Sequence, residues 1–223
     1  MAWRCTGKSN DELVSNLKAS GIVKNPRVEQ ALRAVDRRFY CPEEPYIDSP
    51  GFIGSNATIS APHMHASALE HLEPYLQPGM HGLDVGSGSG YLAACMAELV
   101  GSQGTIVGID HIDALVEASK HNLNRDKMSY LESGRVQLAV ADGRQGYPFQ
   151  APYDCIHVGA ACSERPNALI NQLKAPGRMF APVGSVFAQQ IIQYDKAADG
   201  KVTETPLMEV RYVPLTDAAK QLG

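Results

Sequence analysis

Leu83-Asp84-Val85-Gly86-Ser87-Gly88-Ser89-Gly90 is a short apolar segment that runs into an acid and then into glycine at every second position. Tyr91-Leu92-Ala93-Ala94-Cys95-Met96-Ala97 follows and reads as a helix. Strand, glycine turn and helix together form the first unit of a doubly wound α/β fold, with a ligand beside the helix N-terminus. Glycine is required because the turn is tight and the ligand lies against bare backbone. The spacing is Gly-x-Gly-x-Gly; a dinucleotide turn of the Gly-x-Gly-x-x-Gly kind wants a small residue at position 91, where this chain has Tyr91. Taken alone, the stretch indicates a nucleoside-like ligand.

Outward from it the chain alternates. The pattern predicts strand 83–85, helix 90–100, a strand from Thr105 to Ile109 ending at Asp110, and a helix from Asp113 to about Arg125. Val136 to Val140 is the next strand, ending at Asp142-Gly143, and Tyr153 to Val158 another, closing at Gly159-Ala160-Ala161. Pro166 opens a helix to about Lys174, and Arg178 to Val183 is a fifth strand. Val186 to Tyr194 and Val202 to Val213 flank Asp199-Gly200 as an antiparallel hairpin. Before the glycine stretch, Asn10-Asp11-Glu12 caps a helix carrying Leu13, Val14 and Leu17, and Gly21 ends it. Asn25-Pro26 opens a second helix and Pro62 a third. Between them 39–61, punctuated by Pro42, Pro45, Pro50, Gly51 and Gly54, reads as a loop of roughly twenty residues, a length usually kept for function. The expected fold is therefore α/β: a doubly wound, mostly parallel, Rossmann-like sheet with an antiparallel C-terminal hairpin and an N-terminal helical extension. It forms one domain over 1–223, with 1–78 on the substrate side and 79–223 binding the ligand.

The 223 residues carry a net charge of −4 and a pI near 6.0, which argues against a nucleic-acid partner. Five cysteines with no Cys-x-x-Cys pair fit a reducing compartment. No apolar run approaches the ~18 residues of a membrane helix, and Met1-Ala2-Trp3-Arg4 starts no signal peptide. The expectation is a soluble, cytoplasmic monomer.

Three successive strands end in an acid: Asp84, Asp110 and Asp142. Asp110 lies 20 residues after Gly90, where a carboxylate accepts both hydroxyls of a ribose. One such acid is as easily a helix cap; three in succession behind a glycine turn favour a ligand. With Gly108-Ile109-Asp110 and Asp142-Gly143, the glycine stretch resembles the class I S-adenosylmethionine-dependent methyltransferases. The loop Ala57-Thr58-Ile59-Ser60-Ala61-Pro62-His63-Met64-His65-Ala66 is more specific and resembles the signature of the protein-L-isoaspartate (D-aspartate) O-methyltransferase family. That resemblance extends from Met1-Ala2-Trp3 through Asp36-Arg37, Tyr40 and Pro45-Tyr46 to Tyr212-Val213-Pro214-Leu215-Thr216-Asp217. It implies methylation of the α-carboxylate freed when Asn or Asp rearranges to isoaspartate. S-adenosyl-L-methionine would be the donor and S-adenosyl-L-homocysteine the product; the partners would be isoaspartyl peptides and flexible protein segments. It also implies that Ala57, Thr58, Ile59, Ser60 and His65 line the active centre, with Ser60 on the substrate carboxylate. Asp84, Val85, Gly86, Ser87, Gly88, Ser89 and Gly90 would border the methionine part of the donor, Asp110 its ribose and Asp142-Gly143 its adenine, with His111 among the donor-binding residues. Thr216 and Gln221 would close the site.

The chemistry agrees with those residue types. An α-carboxylate of pKa roughly 3.5 is ionised at neutral pH, so no general base is needed and the protein's task is alignment. Hydroxyl and backbone N–H donors suit it. The plainer reading of Ser60 is a cap for the helix at Pro62; the whole motif favours the catalytic one. His63-x-His65 is a poor metal pair, since two residues apart on a helix they face differently, and no metal is expected. His63 reads as structural, His157 as a satisfied core histidine, and the cysteines as packing residues. A small-molecule O-methyltransferase on the same fold is the alternative, opposed only by the 57–66 loop, and a non-catalytic donor-binding module would leave Ser60 without purpose. A nicotinamide dehydrogenase is disfavoured by Tyr91, and Gly159-Ala160-Ala161-Cys162 is not the Asn/Asp-Pro-Pro-aromatic run of a nucleobase methyltransferase.

Overall fold

The structure is a computed structural model that describes residues 5–185 and 187–223. The Met1-Ala2-Trp3 start and Val186, the first residue of the predicted hairpin, lie outside the described residues. In chain order the elements are α1 (Asn10–Ala19), α2 (Pro26–Ala34), β1 (Gly51–Gly54), β2 (Ala57–Ile59) and α3 (Pro62–Leu72). Then come β3 (His81–Val85), α4 (Tyr91–Val100), β4 (Thr105–Asp110), α5 (Asp113–Glu132), β5 (Val136–Val140) and β6 (Tyr153–Val158). The chain finishes with α6 (Asn167–Gln172), β7 (Leu173–Ser185), β8 (Ala188–Lys196), β9 (Val202–Val210) and α7 (Ala218–Leu222).

Seven strands form one sheet in the order β5-β4-β3-β6-β7-β8-β9, parallel through β7 and antiparallel from β7 to β9. Successive side chains of a strand point to opposite faces, so each face of the sheet has its own core. Leu83 and Val85 of β3 join Val107, Ile109, Ile156 and Val158 against Leu169 and Ile170 of α6. On the other face α1 to α4 close over Ile106, Val136, Cys155 and Phe180. The first seventy residues thus share a core with the sheet.

Several expected boundaries move. Ser9, not Asn10, caps α1, its Oγ accepting from Glu12 N at 3.2 Å, because the Asn10 amide is buried and donates to Leu32 O at 2.9 Å. The 39–61 stretch contains the β1–β2 hairpin, whose tip holds Ser55 and Asn56 at φ of +49° and +53°. α5 runs to Glu132 rather than Arg125, with a kink at Lys127, since no glycine or proline interrupts it before Gly134. α6 stops at Gln172 rather than Lys174, and β7 begins at Leu173, five residues before the expected Arg178, to pair with β6 and β8. Among the described residues no helix is long and apolar enough to cross a membrane.

Candidate active site

β4 and β5 extend the sheet to one side of β3, and the chain then returns to place β6 on the other side. This reversal leaves a crevice beyond the carboxyl ends of β3 and β6, where open α/β sheets bind ligands. The chain there is bare backbone. Gly86, Gly88 and Gly90 take φ of +71°, +51° and +83°. A Cβ on Gly90 would stand 2.2 Å from Ser119 Oγ of α5, so any side chain would push the turn off its helix. At the facing strand end Gly159 N donates to Val85 O at 2.8 Å, and a Cβ there would lie 2.9 Å from Gly86 O. Gly86 N and Ser87 N both donate to Ile109 O, at 2.8 and 2.9 Å, which stitches the turn onto β4.

Three connected cavities meet at this crevice. The outer one lies between Asp110 and His111 on one side and Gly143, Leu215, Thr216 and Gln221 on the other. Asp110 accepts from Ile112 N at 3.1 Å and from Gly88 N at 3.2 Å. Burial pushes its carboxyl above the usual range, against these two N–H groups, which pull it down. α7 lies over this cavity. Gln221 donates from Nε2 to Ser55 O at 2.9 Å, pairs through Oε1 with His111 Nε2 at 2.7 Å, and accepts at its carbonyl from Asn56 Nδ2 at 2.8 Å.

The inner cavity is walled by Asp84, Ser87, Ser89, Tyr91, His65 and His157. Asp84 and His157 are both buried, with Asp84 Oδ1 2.7 Å from His157 Nδ1. Asp84 Oδ2 and Ser87 Oγ are buried without a hydrogen-bond partner. A buried carboxylate oxygen left open is costly unless a donor meets it, and a cationic ammonium or a hydroxyl in this cavity would do so.

The third cavity, a groove of about 290 Å3, opens between the start of α3 and the end of β9. Ser60, His63 and Met64 form one wall, and Glu209, Arg211 and Tyr212 the other. Thr58 and Gly159 line all three cavities, and Ser60 lines both the groove and the inner cavity. Ser60 does not cap α3: the cap position is Ala61, and the first-turn His63 N donates to Asp48 Oδ1 at 3.0 Å instead. Asp48 Oδ1 also lies 2.8 Å from His63 Nδ1, which gives His63 the structural role expected of it. Burial pushes the Asp48 carboxyl up, but the hydrogen bonds from His63 outweigh it and hold the group below its ordinary value.

Most of the residues singled out from sequence thus border one continuous space. Ala57, Thr58, Gly86, Gly88, Asp110, His111, Gly143, Thr216 and Gln221 line the outer cavity, and Ile59, His65, Asp84, Ser87 and Ser89 the inner one. Val85 stands behind the wall, where a Cβ on Gly143 would meet it at 2.7 Å. Gly90 serves the turn rather than the wall. The Asp142 carboxylate is half-exposed and turned to Arg144, which also pairs with Asp217 at the start of α7. Arg144 holds that carboxyl below its ordinary range. Gly159, His157, Tyr91 and Tyr212 were not expected at the site. Gly159 follows a strand end as Gly86 does, which is the one local signal among them. The Tyr212 phenol is pushed up to about 12, chiefly by burial, with the Ser60 hydroxyl drawing it down.

The fold, the bare glycine turn at the switch point and the strand-end acids define a class I S-adenosylmethionine-dependent methyltransferase. The model of the protein-L-isoaspartate(D-aspartate) O-methyltransferase family matches residues 8–220, and the chain belongs to that family. It is 51% identical over 218 residues to the protein-L-isoaspartate O-methyltransferase of Triticum aestivum, covering 96% of this chain and 94% of that one. With the Caenorhabditis elegans enzyme of the same name it shares 46% over 221 residues, covering 99% and 98%. The crystal structure of a Plasmodium falciparum protein-L-isoaspartate O-methyltransferase in complex with S-adenosyl-L-homocysteine superimposes with a TM-score of 0.88 at 33% identity, covering 94% and 99%.

Proposed function

We propose that this cleft transfers the methyl group of S-adenosylmethionine to the α-carboxylate of an L-isoaspartyl residue, with Ser60 orienting the acceptor. The observation that carries this reading is that Ser60, two residues before α3, faces both the open groove and the closed inner cavity and has no capping bond to occupy it.

The donor-side residues fit the group they would hold. Asp84 Oδ2 and Ser87 Oγ are open to its amino-acid end, Asp110 and His111 to its ribose, and Gly143 with Leu215 to its adenine. When bound, S-adenosylmethionine supplies an electrophilic methyl on a sulfonium. The acceptor α-carboxylate, with a pKa of about 3.5, arrives ionised and needs no base. Ser60 holds one carboxylate oxygen so that the other faces the methyl, and the apolar wall of Ile59 and Ile53 keeps water from the reacting atoms. Carboxylate and sulfonium charges cancel along the reaction, so a dry cavity favours it. The resulting ester is open to attack by the neighbouring peptide nitrogen, which expels methanol and closes a succinimide.

The groove is open to solvent and carries opposite charges at Glu209 and Arg211, which suits flexible peptide segments rather than one small molecule. The stretch before residue 79 supplies one wall of the acceptor groove, through Ser60, His63 and Met64, and the end of β9 with the residues after it supplies the other. A reducing, cytoplasmic location accords with five free, buried thiols. Among the described residues no group of three His, Cys, Asp or Glu is placed to hold a metal. The test is incubation with methyl-labelled donor and an isoaspartyl peptide beside its aspartyl twin. Base-labile label in the isoaspartyl peptide alone is expected; label in neither peptide overturns the assignment.

A further inference from the structure

Arg37 is fully buried, yet it has no carboxylate within ion-pair distance among the described residues. The nearby buried acids are engaged elsewhere, Asp48 by His63 and Asp84 by His157. A guanidinium without a counter-ion is expensive to bury, and most of its donors must then be satisfied by something specific. Arg37 Nη2 donates to Ser60 O at 2.7 Å, and Nη1 lies 3.2 Å from His65 Nδ1. Its Nε is unpartnered, and the plane lies over the Tyr91 ring, 5.2 Å from the centroid. Because guanidinium donates and never accepts, His65 Nδ1 takes the bond and the ring carries its proton on Nε2. Burial first and the Arg37 charge second hold the His65 imidazolium well below its ordinary value, consistent with a neutral ring.

These three neighbours belong to three different pieces of the site. Ser60 ends the acceptor loop, His65 lies on α3, and Tyr91 opens α4 directly after the glycine turn. A planar fork of fixed geometry is the side chain that can hold three such pieces at set distances. We infer that Arg37 is a positioning residue for the transfer: it fixes the Ser60 main chain, and through it the hydroxyl, against the donor helix. The inference rests on the catalytic reading of Ser60. Arg37 lines none of the cavities and so acts through Ser60 rather than on substrate.

The fork predicts a specific mutational pattern. Arg37→Met removes the buried charge and keeps the bulk, so it is expected to fold. It should lower kcat for an isoaspartyl peptide by about ten- to a hundredfold, the scale of an ångström's misplacement, while S-adenosylhomocysteine affinity and peptide KM change little. Arg37→Gln restores one donor to Ser60 O and should recover part of the rate. Arg37→Lys keeps the charge but not the fork and should resemble Met. Combined with Ser60→Ala, Arg37→Met should add nothing, because the hydroxyl it positions is gone. If Ser60→Ala loses turnover while Arg37→Met keeps it, or if the two losses multiply, the positioning role is refuted. Full recovery by Lys would mean that charge rather than geometry matters, and would also overturn it. If Ser60→Ala itself keeps full turnover, the catalytic reading of Ser60 fails and this inference falls with it.

Discussion

Asp84 and His157 stand opposite one another in register on β3 and β6, joined by a 2.7 Å hydrogen bond at the floor of the cleft. The bond engages one carboxylate oxygen with protein and leaves the other for ligand. His157→Phe keeps a ring beside Phe180, against which His157 stacks at 6.2 Å, but leaves Asp84 without its donor. A lost hydrogen bond to a charged group is worth about 1.5–3 kcal/mol, so urea denaturation should show a loss of that size. Asp84→Asn, which preserves shape, should weaken S-adenosylhomocysteine binding by calorimetry with a smaller effect on stability.

Asp110 gives a pH dependence. Its folded-state pKa is raised, chiefly by burial. Its contribution to stability is therefore complete below the ordinary Asp value, about 3.9, and lost as pH rises through the folded one. Ligand binding runs the other way, because ribose hydroxyls donate to the ionised form. S-adenosylhomocysteine affinity should fall as pH drops through the raised pKa, and Asp110→Asn should flatten that limb of the profile. An Asn variant with the same slope would separate Asp110 from the ribose.

Turnover itself should be nearly independent of pH. The acceptor is ionised, and His65 is neutral with Nδ1 committed to Arg37. Between about pH 6 and 8, kcat should vary less than twofold. A slope of one would require a general base.

Ser60→Ala should lower kcat for isoaspartyl peptides with little change in donor affinity, and Ser60→Thr should keep part of the rate. A hydrogen bond to the attacking carboxylate is stronger before the charge is lost than after, so its benefit is alignment and not stabilisation. Because Ser60 makes no capping bond to α3, melting temperature should hardly move in either variant. Loss of melting temperature with full turnover would reassign Ser60 to structure.

Gln221 binds the hairpin tip and His111 at once, so Gln221→Ala should speed dissociation of S-adenosylhomocysteine. Two lost side-chain bonds at about 0.5–1.5 kcal/mol each give roughly five- to 150-fold, measured by stopped-flow displacement.

What sequence revealed of this site and what it hid divide along a physical line. The turn at Gly86 to Gly90 and the strand-ending acids are local: their spacing states what the backbone must do within ten residues. The partner of Asp84 is 73 positions away, and only the return of the chain to β6 brings His157 there. Arg37 and Ser60 are separated by 23 positions and meet through a hydrogen bond to main chain, which no residue type announces. Ser60 as a cap was a fair local inference, overridden because Asp48, from the preceding loop, takes the His63 N–H. The β1–β2 hairpin was hidden by its own Gly51 and Gly54 and by Pro42, Pro45 and Pro50 just before it, which also signal loop.

The strap formed by α7 closes only the outer cavity, while the groove opens elsewhere, between α3 and β9. The two mouths of the cleft are therefore independent doors. A protein caught by one damaged residue can depart through its own side while the spent nucleoside is still latched in place, and a fresh nucleoside need not wait for the protein to clear. With separate mouths, the geometry does not require the acceptor to leave before the nucleoside is exchanged.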